Sequence, residues 1–86
     1  MTYIVEVRPK ALKQLAALPK GVRASMVQAV EVLAAVPRPP GAVQLKGTAF
    51  LRVRVRDYRI IYEVNDDVLL VLVVRVAHRR DVYRGL

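Results

Sequence analysis

The chain has 86 residues, with 15 lysines and arginines against 7 acidic residues and a net charge of +8. That length suits one domain, residues 1–86, with a small core and marginal stability. It has no cysteine, which excludes disulfides and cysteine-ligated zinc, and its single histidine, His78, argues against a His-rich metal site. No metal or cofactor is expected. Eleven of the basic residues are arginine, the side chain suited to planar, bidentate contacts with phosphate or carboxylate. The charge therefore points to a polyanionic partner, either nucleic acid or an acidic protein. A hydrophobic content of 55% in so basic a chain hints at apolar surface that a partner covers. Residues 1–8 lack a signal-peptide pattern, and the most apolar run, Val68 to Val74, is too short to span a bilayer. A cytoplasmic, soluble protein is the expectation.

In chain order, Thr2 to Val7 alternates as a strand. Pro9 suits the first turn of a helix, where its missing N–H costs nothing, and Lys10 to Leu18 continues as a short amphipathic helix. Pro19 and Gly21 break it. Val22, Met26, Val30 and Leu33 then recur at helical spacing over Val22 to Val36, and Pro37 stops that helix. The short link makes the pair an antiparallel hairpin. After the rigid Pro37-Arg38-Pro39-Pro40-Gly41 connector come a weak strand at Ala42 to Leu45, an alternating strand at Leu51 to Arg56, and another at Tyr58 to Val64. A turn at Asn65-Asp66-Asp67 precedes an apolar strand, Val68 to Ala77, expected to be buried on both faces. The order β-α-α-β-β-β-β predicts an α+β fold: a helical hairpin packed on one face of a mostly antiparallel sheet of four to five strands. The other face is left open for a ligand or partner.

If Arg56 and Asp57 form a two-residue turn, Val55 pairs with Tyr58, Arg54 with Arg59, Val53 with Ile60 and Arg52 with Ile61. One face then carries Arg52, Arg54, Arg59, Ile61 and Glu63. Arg-Asp is not a favoured hairpin turn, and a slip of one residue would invert one strand against the other. Opposed arginines repel, so the hairpin gains nothing from them. Charge that blunts an exposed strand against aggregation would give a similar composition. Three arginines with an opposed pair favour phosphate binding. The tail, Ala77 to Arg84, adds His78, Arg79, Arg80 and Tyr83. Histidine is the side-chain type suited to proton transfer at physiological pH, which makes His78 a candidate, and Tyr83 can stack on a base or donate a proton. Equally, His78 can be an ordinary residue at a strand end and Tyr83 an anchor for the C-terminus.

Nearly the whole chain resembles the RelE branch of the RelE/ParE toxins, the type II toxin–antitoxin mRNA interferases. The resemblance is carried by Tyr58-Arg59-Ile60-Ile61-Tyr62-Glu63-Val64, by Val76-Ala77-His78-Arg79-Arg80-Asp81-Val82-Tyr83, and by Gln44-Leu45-Lys46-Gly47. It implies a metal-independent endoribonuclease that enters the ribosomal A site and cleaves mRNA by 2′-hydroxyl attack on the scissile phosphate, inhibiting translation. By local motif it makes Arg59 the phosphate contact, Arg79 the support for the transition state or leaving group, and Tyr83 the stacking and proton-transfer residue. Lys46, Arg52, Arg54, Arg56 and Arg80 would bind RNA or phosphate. Arg52 and Arg54 stand where the best-studied branch has lysines, and arginine stays charged, so neither suits a base. His78 is the substitute the resemblance offers, with Glu63 a weaker candidate. The resemblance further implies neutralisation by a cognate RelB-like antitoxin, acidic where it wraps this domain, with the toxin monomeric when free. Partners would be that antitoxin, ribosomal RNA and mRNA, with no membrane. Two alternatives stay open: a ParE-like gyrase inhibitor, and a non-catalytic binding module on the toxin fold.

Overall fold

Both helices begin at a proline. In the computed structural model, which describes residues 2–85, Pro9 is the first residue of helix α1 (Pro9–Ala16) and Pro19 caps α2 (Lys20–Ala35). The fixed φ of proline starts each helix, and the missing N–H of Pro19 ends the preceding one. Around them run β1 (Ile4–Val7), β2 (Val43–Gln44), β3 (Leu51–Val55), β4 (Tyr58–Asn65) and β5 (Leu70–His78). They form one five-stranded sheet in the order β1-β5-β4-β3-β2. The pairings are antiparallel except for β1 with β5, which run parallel because the helical hairpin carries the chain from one edge back across the sheet. Among the described residues no helix is long and apolar enough to cross a membrane.

The expected α+β architecture is present, with three local differences. The last strand begins at Leu70 rather than Val68. Leu69 has φ +53°, and the Asp67 N–H bonds the Asn65 side chain at 3.1 Å, so the turn runs over residues 66–69. That strand is also not buried on both faces: fully buried and half-buried residues alternate along it. The first strand begins at Ile4, because the N–H of Tyr3 bonds the Ala34 carbonyl at the end of α2 (2.7 Å) instead of a neighbouring strand.

The core lies between the helices and one face of the sheet. Ala11, Met26 and Leu33 pack on Leu51, Val53, Ile60, Tyr62, Val71, Val73 and Val76. Each large side chain buried there contributes roughly 1.5–3 kcal/mol. A bulge between β4 and β5 is decisive for what faces where. Ile61 pairs with Arg75 but Tyr62 pairs with Val73, so Val74 is an extra residue in β5. The parity of β5 therefore changes, keeping Val76 in the core and turning Arg75 to the helix-free face. Past the end of β1, the free edge of β5 is satisfied by Gln14 of α1, whose Oε1 accepts the Val76 N–H at 2.9 Å.

A polar clasp closes the proline connector over the sheet. The buried Tyr62 hydroxyl donates to the Pro37 carbonyl at 2.7 Å. Arg38 donates to both carboxylate oxygens of Asp66, at 3.2 and 3.0 Å, and the Tyr3 hydroxyl donates to Asp66 at 2.6 Å. The Arg38 and Tyr3 hydrogen bonds hold the Asp66 carboxyl below its usual range. Burial pushes the Tyr62 phenol up.

Candidate functional site

The β3–β4 hairpin has Val55 opposite Tyr58, Arg54 opposite Arg59, Val53 opposite Ile60 and Arg52 opposite Ile61, the register expected from the sequence. Arg56 takes φ +56°, a conformation that costs a side-chain-bearing residue on the order of 1 kcal/mol. Arg59 offsets part of that cost: its Nη1 donates to the carbonyls of Tyr58 (2.9 Å) and Arg56 (3.2 Å), tying the turn together. Among the described residues, Nε and Nη2 of Arg59 make no bond to the chain and remain available to an anion. Arg54 is exposed and Arg52 is buried at the base of β3.

The chain after β5 returns to this hairpin. The Arg79 N–H bonds the Asp57 carbonyl at 2.8 Å, which joins the tail to the turn. The backbone then coils, with the N–H groups of Asp81 and Val82 on the His78 carbonyl at 2.8 and 3.0 Å. Val82 is fully buried, while Tyr83 is 46% exposed. From the helix-free face Arg75 reaches this coil: Nη1 donates to the Val82 carbonyl at 2.9 Å and also to that of Arg84. The face expected to be open is thus partly roofed by the tail. The fold draws Arg54, Arg56, Arg59 and the start of the tail to one end of the sheet, and the Arg75 bonds hold the backbone on either side of Tyr83 against the helix-free face.

Other candidates sit apart. Lys46 lies in the β2–β3 loop, at the far end of β3, about 17 Å along the strand from the Arg56 turn. Glu63 shares the arginine face but lies four residues, about 13 Å, up β4 from Arg59. His78 pairs with Tyr58, and their rings meet edge to face at 5.4 Å on the helix side of the sheet. Its Nδ1 accepts the Arg80 N–H at 3.2 Å, so in the neutral ring the proton is on Nε2. Arg79 and Arg80 are both exposed. Among the described residues, no three His, Cys, Asp or Glu side chains group to hold a metal ion.

Two features carried no sequence signal that could have singled them out. Arg75 sits in an apolar run, and only the bulge shows which face it joins. The other is a groove of about 600 Å³ between α2 and the outer edge of β3, lined by Ala29, Val32, Leu33, Pro39, Pro40 and Val43. Strand β2 pairs only with Leu51 and Arg52, so the backbone edge at Val53–Val55 opens onto this groove.

Residues 5–83 match the family model of the ParE toxin of type II toxin–antitoxin systems (parDE). The chain belongs to the RelE/ParE toxin superfamily. Its structural similarity lies with the RelE branch. It superposes with TM-score 0.83 and 29% identity on a chain of the archaeal RelE–RelB complex of Pyrococcus horikoshii, over 94% of this chain and 99% of that one. A chain of the RelBE2 toxin–antitoxin complex of Mycobacterium tuberculosis matches with TM-score 0.78 and 26% identity, over 92% and 100%. One from the intact E. coli RelBE complex matches with TM-score 0.78 and 25% identity, over 88% and 95%. No curated protein sequence matches it significantly.

Proposed function

We propose that this RelE/ParE superfamily member is a ribosome-dependent endoribonuclease, the toxin of a type II toxin–antitoxin pair, acting in the cytoplasm on mRNA in the A site. The observation that carries the reading is the cross-strand pair Arg54–Arg59 on the helix-free face. Two opposed guanidiniums weaken a hairpin unless an anion lies between them. A phosphodiester matches that need, because arginine forks bind phosphate oxygens bidentately.

In the proposed reaction the ribose 2′-oxygen attacks the adjacent phosphorus and the P–O5′ bond breaks. A 2′,3′-cyclic phosphate and a 5′-hydroxyl end result. Arg59, with Arg54, holds the phosphate and stabilises the charge that grows on its oxygens. Arg79 supports the leaving oxygen, and Tyr83 stacks on the neighbouring base and assists its protonation. Arg56, Arg80 and Lys46 bind flanking or ribosomal RNA, Lys46 at a distance from the rest, while Arg52, buried at the base of β3, adds positive charge beneath the RNA and makes no direct contact with it. His78 lies at the same end of the sheet but on its helix side, so it takes the 2′-hydroxyl proton on Nδ1 only where the ribose reaches round the strand end from the Arg54–Arg59 face, and Nδ1 must first exchange the Arg80 N–H bond for the substrate. The cognate antitoxin is an acidic, RelB-like chain. Its apolar helix or strand fills the groove beside β3, where a free strand edge and +8 of charge favour an extended acidic partner.

The test is cleavage of mRNA on programmed ribosomes by the purified chain, with the new 3′ end examined for a cyclic phosphate. Folded protein that leaves the mRNA intact refutes the reading. A second reading is favoured by the ParE description of the matching family model: inhibition of DNA gyrase, with no nuclease chemistry. A supercoiling assay run beside the ribosome assay separates the two.

A further inference from the structure

Two charged side chains of the sheet are buried, Arg52 and Arg75. Arg75 makes no ion pair among the described residues. Its guanidinium instead faces two backbone carbonyls of the C-terminal coil, those of Val82 and Arg84, both bonded to the same Nη1. Carbonyls at the end of a coil lack the N–H donors that a continuing helix would supply, and a cation there meets the negative end of the peptide dipoles. The dependence is mutual. A buried guanidinium without a carboxylate partner among the described residues needs these acceptors, and among the described residues these acceptors have no other donor. Val82 adds an apolar anchor, its side chain fully buried yet outside the core cluster beneath the helices. In sequence Tyr83 stands between the two residues whose carbonyls Arg75 holds, and it is about half exposed. Backbone bonds tie residues 79–82 to the hairpin turn and to His78, but past Val82 the other side-chain restraint among the described residues is the exposed Arg84–Asp81 pair at 3.5 Å.

We infer that Arg75 is a positioning residue, which caps the C-terminal coil from beneath and so holds the ring of Tyr83 over the arginine face. The inference rests on the proposed nuclease reading for its catalytic consequence, while the latch itself is a property of the free protein. The bulge at Val74 is what makes it available, because an unbulged β5 would aim Arg75 into the helices.

A double-mutant cycle with a structural readout tests this. Arg75→Met removes the donors and keeps an unbranched chain. Single-turnover cleavage on ribosomes should fall to about the level of Tyr83→Ala, with the half-saturating ribosome concentration unchanged. In the Tyr83→Ala background, Arg75→Met should slow cleavage no further, because the group it positions is already gone. Arg75→Lys should recover part of the rate. In the free protein, amide exchange at residues 82–85 should rise at least tenfold in Arg75→Met, with β4 amides unaffected. An equal loss in both backgrounds, or unchanged exchange in the tail, overturns the inference. If the wild-type chain cuts no RNA, the nuclease reading fails and tail exchange alone decides the latch. Should Arg75→Met not fold, Arg75→Gln and Arg75→Lys carry the same comparisons.

Discussion

Arg54→Gln should make the protein more stable and a poorer RNA binder at once. Arg54 and Arg59 are directly opposed, Arg54 is exposed, and it makes no hydrogen bond to the chain among the described residues. Two unit charges roughly 7 Å apart in water repel by about 0.6 kcal/mol, and about half of that survives screening in 0.1 M salt. For a domain of this size, 1 kcal/mol corresponds to about 4–8 °C in Tm. The variant should therefore melt about 2–5 °C higher at low salt, and the gain should shrink as salt is added. Its effect on RNA has the opposite sign. A charge-assisted bond to phosphate is worth about 1.5–3 kcal/mol, so affinity for a fluorescently labelled RNA oligonucleotide should fall roughly 10- to 150-fold. The slope of log affinity against log salt should also flatten by about 0.7, one single-strand phosphate contact. Anisotropy titrations across salt, beside thermal melts, read both effects. A lower Tm with unchanged RNA affinity would refute the reasoning, because Arg54 would then be serving the fold and not an anion.

Three further outcomes follow from the geometry. Tyr62→Phe removes the hydroxyl from the Pro37 carbonyl within the core and should cost about 1–2 kcal/mol in denaturant titrations, with the slope unchanged. Asp66→Asn should lower Tm at pH 7, where the carboxylate accepts from Arg38 and Tyr3. Because the native pKa of Asp66 is lowered, its contribution is full above the unfolded value near 4 and fades as pH falls through the native one. The gap in Tm between wild type and Asp66→Asn should accordingly close in strong acid; a gap constant with pH would remove the ionic part of the clasp. His78→Gln should slow single-turnover cleavage by about 10²-fold or more if the ring moves the 2′-hydroxyl proton, without changing ribosome affinity. Unchanged cleavage takes His78 out of the chemistry and leaves it as the edge partner of Tyr58.

Much of the fold is written locally. Pro9, Pro19 and Pro37 punctuate the helical hairpin, and the apolar spacing of Val22, Met26, Val30 and Leu33 selects the face of α2 that packs on the sheet. Strict alternation in Leu51–Arg56, with a turn of two residues, is enough to set Arg54 against Arg59, since the period of a strand is two and the hairpin admits few registers. What tertiary structure decided is parity and closure. Residues 70–74 are so uniformly apolar that the strand's alternation cannot be read from them, and Arg75 is left without an assigned face. Only pairing with β4, and the bulge at Val74, sends Val76 and His78 to the helix side and Arg75 to the arginines. That choice separates His78 from the guanidiniums it neighbours in sequence. It also brings a buried arginine under Tyr83, eight residues later. Local pattern specifies elements because it depends on neighbours along the chain. Which face a residue joins in a buried strand depends on partners far away in the chain, and those partners are supplied by the folded sheet.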